Sequence, residues 1–244
     1  MAVSSENRVL YVCWFSDLNS MSENRSAALE CLYKYSGVKI KIITNENFYN
    51  EYNNPEIPIH SAFQYLSDVH KSAYVRSYMM YSYGGGYSDI KANKFDWNKY
   101  FDELYSSEYD AIGYAEIAAK DIVNFWEDDL NMKQDVEKNY FKFAGNGMYI
   151  YKPKTEIAKR WIEMVHKELD NKLHALEDNP GTYHPYAIPG GIQGHPMDGM
   201  PYADSKYPIG WGEINGKIIQ KLQYENNFSN FLLTMPYINR DNYR

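Results

Sequence analysis

The residues best placed to do chemistry lie within one short stretch, His70 to Lys91. A helical pattern carries Arg76 on the same face as Leu66, Val69, Ala73 and Met80, by the three-and-four spacing of a helix. A guanidinium inside an apolar stripe must find an anion, either a carboxylate elsewhere in the fold or an oxygen of a ligand held by its planar fork. The pattern then meets Gly84-Gly85-Gly86, which ends the helix and lets the backbone turn sharply, because glycine alone accepts positive φ freely. Tyr87 to Lys91 reads as a short strand, and strand spacing puts Asp89 and Lys91 on one face with Ile90 behind them. On an ordinary strand such a pair is a solvated surface contact of little consequence. After a helix, a glycine turn and Arg76, it reads as one wall of a cleft.

This wall needs a scaffold, and the preceding sequence has the pattern of one. Arg8 to Phe15 is a β-rich apolar run ending at Ser16, and Val38 to Thr44 alternates before turning fully apolar. Between them Ser22 opens a helix containing Ala27, Ala28, Leu29, Cys31 and Leu32, which Gly37 ends. The result is a β-α-β start. Ligands of open α/β sheets gather at the carboxyl ends of strands. Trp14, at such an end, is either a core aromatic or a flat surface on which a base stacks, a contact worth about 1–3 kcal/mol. Asn45 to His60 is polar and broken by Pro55 and Pro58, and reads as loop and short turns. Ala62 to Tyr83 is the central helix, with a joint near Ser67-Asp68.

The helix-glycine-strand combination resembles the core of the sugar-binding DXD glycosyltransferases, the group that includes the family 32 transferases and the capsular polysaccharide synthesis proteins. Their pattern is Ser-Asp-x-x-Arg on a helix, then Tyr-Gly-Gly-x-Tyr, then Asp-x-Asp. Here it stands as Ser72-Ala73-x-x-Arg76, Tyr83-Gly84-Gly85-Gly86-Tyr87 and Asp89-Ile90-Lys91. The likeness extends from Cys13-Trp14-Phe15 through Asn24-Arg25 to Tyr207-Pro208-Ile209-Gly210-Trp211-Gly212-Glu213.

The resemblance implies a single α/β domain of the GT-A type over residues 1–244. Residues 1–115 would form a Rossmann-like donor nucleotide half and 116–244 an acceptor half, around a mixed central sheet flanked by helices. The implied reaction moves a hexosyl group from a nucleotide sugar, a UDP-sugar first of all, to a sugar hydroxyl of a glycan or polysaccharide. Trp14 and Phe15 would meet the base, and Tyr87 and Trp211 would line the donor. Arg76 would contact the donor sugar or phosphates, and Asp89 the ribose, the sugar or a Mn²⁺ or Mg²⁺ ion. Glu213 would serve as base in an inverting displacement.

The chain departs from the pattern at two positions. Lys91 replaces the second acid of Asp-x-Asp, and an ammonium cannot ligate a hard cation although it can neutralise phosphate, which puts metal dependence in question. Ala73 stands where an Asp is expected, either by natural loss or by an introduced inactivating substitution, and a functional Asp missing there would weaken the enzyme and leave Arg76 without its helix partner. Both departures also permit an alternative, an inactive sugar- or nucleotide-sugar-binding scaffold that kept the fold.

Farther along, Tyr109 to Tyr114 reads as a strand followed by a surface Glu116, and Ala118 to Lys138 as an acidic loop or helix near the site. Gly145-Asn146-Gly147 reads as a turn feeding the strand Met148 to Tyr151. A helix from about Thr155 to Leu176 carries the apolar stripe Ile157, Trp161, Val165 and Leu169. Asn179 to Met200 is a Pro-, Gly- and His-rich irregular segment with His195 and Asp198 as ligand or acceptor candidates.

Composition bounds the remaining classes. A formal charge of −7 supplies no basic field, against a nucleic-acid partner. Two cysteines, Cys13 and Cys31, lack metal or disulfide spacing and fit a reducing compartment. Met1 to Glu6 lack the basic and apolar regions of a signal peptide, and no apolar run approaches a membrane span, so the expected location is cytoplasmic, with peripheral membrane contact open. The 25 tyrosines suit sugar binding, but in a chain rich in Asn, Lys and Ile most of them reflect composition bias.

Overall fold

The computed structural model describes residues 8–16, 20–181 and 206–238. It is an α/β structure built on one six-stranded mixed sheet. The chain starts with β1 (Val9–Cys13), α1 (Glu23–Tyr35) and β2 (Lys39–Ile43), the expected β-α-β unit. Ser22 caps α1 by accepting the Arg25 N–H. The stretch after β2, read as loop from its prolines, instead opens with α2 (Asn45–Glu51). Thr44 accepts from the Asn47 N–H while the Asn47 side chain accepts from the Thr44 N–H, a capping box that nucleates a turn before the prolines are reached.

A short 3₁₀ turn (Ser61–Tyr65) precedes α3 (Asp68–Ser82), whose N-cap is Ser67, so the joint falls where expected. Gly84, at φ 64°, closes the end of α3 by donating its N–H to the Met79 carbonyl at 3.0 Å. The following strand β3 spans Gly85–Ser88 and ends one residue before Asp89. Asp89 and Lys91 therefore do not share a strand face. They sit on a tight turn in which the Lys91 N–H donates to the Asp89 carbonyl at 2.7 Å.

The remaining α-helices and strands among the described residues are α4 (Asn98–Tyr105), β4 (Ala111–Ala115), α5 (Leu130–Asn139), β5 (Ala144–Tyr151), α6 (Glu156–Asp178), α7 (Gly216–Glu225) and β6 (Phe231–Leu232). The expected turn at Gly145-Asn146-Gly147 is part of β5. Its glycines answer to a neighbouring ring rather than to a bend. A Cβ on Gly145 would fall 2.1 Å from the Tyr114 ring, and one on Gly147 would fall 3.0 Å from the Tyr114 hydroxyl.

Strand order is β2-β1-β3-β5-β4-β6. β1 is parallel to β2 and β3, β4 is parallel to β6, and β5 runs antiparallel to both β3 and β4. The sheet draws strands from both sides of residue 115, and β5 lies between β3 and β4. Because β2 lies on one side of β1 and β3 on the other, the carboxyl ends of β1 and β3 flank the crevice where the connections diverge.

Apolar clusters cover both sheet faces. One gathers side chains of α2, α3, α6 and α7, and the other those of α1 and α4. On α6 the stripe Ile157, Trp161, Val165 and Leu169 is at most 2% exposed, as is Leu176, and each such burial contributes about 1.5–3 kcal/mol. Among the described residues no helix is long and apolar enough to cross a membrane.

Candidate ligand site at the end of strand β3

Asp89 leaves the sheet with its N–H donated to the Gly147 carbonyl at 2.8 Å, which ties the turn to β5. Its carboxylate is gripped from two sides. Oδ1 accepts from Arg76 Nη2 at 2.9 Å and from the Tyr87 hydroxyl at 2.9 Å, and Oδ2 accepts from Lys91 Nζ at 2.8 Å. The side chains of Arg76, Lys91 and Asp89 are 14%, 9% and 22% exposed, so this is not a solvated surface pair. Burial alone would raise the Asp89 pKa. The charges of Lys91 and then Arg76, with the hydrogen bonds from Lys91 and Tyr87, outweigh it and hold the carboxyl well below the usual carboxylate range.

Arg76 is itself firmly placed. Its guanidinium lies 4.4 Å from the centre of the Tyr87 ring, and Nη1 donates to the Asn146 carbonyl at 3.0 Å. The Tyr87 hydroxyl also meets Ser72 Oγ at 3.2 Å. The anion that the apolar stripe demands is thus Asp89. The expectation that Ala73 leaves Arg76 without a partner is corrected here, because the carboxylate arrives from β3 rather than from the same helix. Ala73 is buried among apolar side chains, at 5% exposure.

A third cation anchors the turn from the other side: Arg25 Nη1, on α1, donates to the Ile90 carbonyl at 2.8 Å. Two cationic side chains therefore meet one carboxylate and a third braces the turn that carries it, in a chain whose net charge is −7. The Cys13 thiol, at the end of β1, is pushed up to about 12, chiefly by burial, against the lowering influence of Arg76 and of a hydrogen bond with Ser72. The parallel pairing of β1 with β3, Tyr11 beside Tyr87, places the carboxyl end of β1 beside the cluster.

The other expected site residues divide. Trp14 is half-buried, packs against the α1/α4 face and donates its main-chain N–H to the Ile43 carbonyl at 2.9 Å. Phe15 is buried, with its ring 6.0 Å from that of Phe63 in edge contact, which makes it a core residue. Trp211 is half-buried in the turn before α7. Glu213 has both carboxylate oxygens engaged, Oε1 by Lys172 Nζ at 2.7 Å and Oε2 by the Gly210 N–H at 2.7 Å. That clasp holds the 207–213 stretch to α6.

The same stretch is pinned to the start of α3. His70 Nε2 lies 3.0 Å from the Gly210 carbonyl, and Nδ1 lies 2.8 Å from Ser67 Oγ and 3.1 Å from the Tyr207 hydroxyl. A carbonyl only accepts, so Nε2 carries the proton and Nδ1 accepts. Burial lowers the His70 pKa to about 4, against the raising effects of the Gly210 carbonyl and Glu213. Glu116, expected at the surface, is buried at 3%. His195 and Asp198 lie outside the described residues.

Sequence reasoning missed Asn146 and Tyr114. The Tyr114 hydroxyl accepts the Gly147 N–H at 3.1 Å, so Tyr114 fixes the strand that holds Asp89 and Arg76. The signal was present in Gly145-Asn146-Gly147, where glycines make room for a ring.

A Mn²⁺ or Mg²⁺ ion, which the resemblance implies, needs several oxygen ligands. The carboxylate at the cluster is Asp89, already accepting from two cations, and an ammonium stands two residues on. The described residues contain no group of three or more His, Cys, Asp or Glu side chains able to hold a metal. Among the described residues, Asp89 with both its oxygens taken by cationic partners does not fit the ion. Comparison with family models, curated proteins and solved structures gives no match.

Proposed function

We propose that the protein is a glycosyltransferase of the GT-A type that takes a nucleotide-sugar donor, a UDP-sugar first of all, and transfers its sugar to a hydroxyl of a glycan. The observation that carries this reading is the convergence of Arg76, Lys91 and Asp89 at the carboxyl end of β3, beside the end of β1, where an open α/β sheet collects its ligands. An ionised carboxylate suits the hydroxyls of a ribose or hexose, since it accepts and never competes as a donor. The two flanking cations suit the diphosphate. Transfer breaks the bond between the anomeric carbon and a diphosphate oxygen and forms one from that carbon to the acceptor oxygen, whose proton passes to the departing diphosphate or to water; fixed positive charge beside the leaving oxygen stabilises the charge developing on it. The sequence motif supports the same assignment from a separate direction.

A second reading, a binding protein without turnover, draws on two observations. Glu213, the base nominated from the sequence, is locked to Lys172 and Gly210, and position 73 is an apolar Ala. Incubation with UDP-hexoses and assay of free UDP separates the two. UDP release that disappears in Asp89→Asn is the expected outcome. Thermal stabilisation by UDP without release would favour the binding protein, and failure of every nucleotide both to stabilise and to turn over would sink the donor reading.

A further inference from the structure

We infer that this site takes a nucleoside diphosphate without a divalent cation, the Lys91 ammonium being the built-in counter-charge; the inference rests on the donor reading above. A metal-bridged diphosphate needs a carboxylate with an oxygen available to the ion. At Asp89, Oδ1 accepts two hydrogen bonds and Oδ2 receives the ammonium. A divalent ion approaching Oδ2 meets Lys91 at contact distance and Arg76 on the neighbouring oxygen, and like charges at that range repel strongly where water is scarce.

Lys91 is not a side chain that happens to rest there. Its side chain is 9% exposed. Its main-chain N–H closes the turn on the Asp89 carbonyl, and Arg25 holds the intervening Ile90 carbonyl. The turn that presents Lys91 is held by three elements, α1 through Arg25, α3 through Arg76 and β5 through Gly147, so the stem of Lys91 starts from a fixed point beside Asp89.

The charge count agrees. Among the described residues, Arg76 and Lys91 both meet the Asp89 carboxylate, and Arg25 lies behind the turn on the Ile90 carbonyl. A diphosphate at this turn would be met by the Lys91 ammonium and the Arg76 guanidinium.

The test is titration of the wild-type protein with UDP, and in parallel GDP, in excess EDTA and again in Mn²⁺ and in Mg²⁺. The expected result is binding of at least one nucleotide with the same affinity in all three buffers. Lys91→Met should lose about thirtyfold or more in that affinity, as removal of a buried hydrogen-bonding charge does, while Lys91→Arg keeps it. Binding that requires Mn²⁺ or Mg²⁺ would overturn the inference and leave the donor reading standing. A folded Lys91→Met, checked by circular dichroism, that binds like wild type would also overturn it. Absence of binding by either nucleotide in every buffer would overturn both. Should Lys91→Met not fold, the wild-type comparison across buffers decides alone.

Discussion

Lys91 meets Asp89 twice, through its main-chain N–H on the Asp89 carbonyl at 2.7 Å and through its ammonium on Oδ2 at 2.8 Å. One residue thereby shapes the turn and neutralises the carboxylate that the turn presents. On the proposed donor reading, stability and ligand binding are coupled at this point, because the groups that would meet the ligand also hold Asp89 in place.

Asp89→Asn should expose that coupling. It leaves Arg76 and Lys91 buried without their anion, at a cost of about 3 kcal/mol, the low end for removing one partner of a buried pair, since the carboxylate side chain is 22% exposed. The melting temperature should fall by about 6–12 °C. The Asp89 pKa is depressed in the fold, so its contribution is complete above the unfolded-state value of about 3.9 and is lost as the pH falls below it. The difference in urea midpoint between wild type and variant should therefore shrink as the pH is lowered from neutrality to below about 4.

His70 predicts a second pH dependence at a higher window. Its pKa is about 4 in the fold, with Glu213, Lys172, Ser67 and Tyr207 as its charged and titratable or hydrogen-bonding surroundings. The unfolded chain takes up a proton near pH 6.5, while the folded chain does not until about 4. Stability is thus full above about 6.5 and falls as the pH drops toward 4, by at most about 3 kcal/mol from this group. His166, lowered to about 4 by burial and by His60, adds to the same trend. Urea denaturation across this range should show the loss, and His70→Gln should flatten the His70 share of it.

Gly145→Ala tests the packing behind the site. The new methyl would overlap the Tyr114 ring, which must shift, and the Tyr114 hydroxyl would leave the Gly147 N–H. Overpacking of this kind costs about 1–3 kcal/mol. Both thermal stability and nucleotide affinity should fall, because Gly147 and Asn146 carry the carbonyls that hold Asp89 and Arg76. Unchanged affinity in the variant would show that β5 does not position the site.

Ala73→Asp restores the acid of the motif one turn from Arg76. An acid buried among apolar side chains is costly unless paired, and Arg76 is the partner within reach by helix spacing. The expected outcome is a gain in donor hydrolysis together with a lower melting temperature. No gain in turnover would show that position 73 takes no part in the reaction.

The sequence alone set several local features of the His70 to Lys91 segment. The helix carrying Arg76, its stop at the glycines, the Ser67 cap and the β-α-β start are local facts, set by period, capping and backbone freedom, and they lie in the structure where the pattern puts them. Local signals misled where a distant residue was the cause. Gly145-Asn146-Gly147 reads as a turn until Tyr114 is seen lying over it, and α2 was hidden by the prolines that follow its capping box.

At Asp89 and Lys91 the division is sharpest. Their types and spacing determined that an acid and a base stand together after a glycine turn. Only the tertiary structure decided that Arg76 pairs with that same acid, that Arg25 and Gly147 brace the turn, and that Glu213 closes on Lys172. The reason is sequence distance: 13 residues separate Arg76 from Asp89 and 41 separate Lys172 from Glu213. Pairings of that span depend on how the strands are ordered in the sheet and the helices packed on it, and no local pattern encodes them.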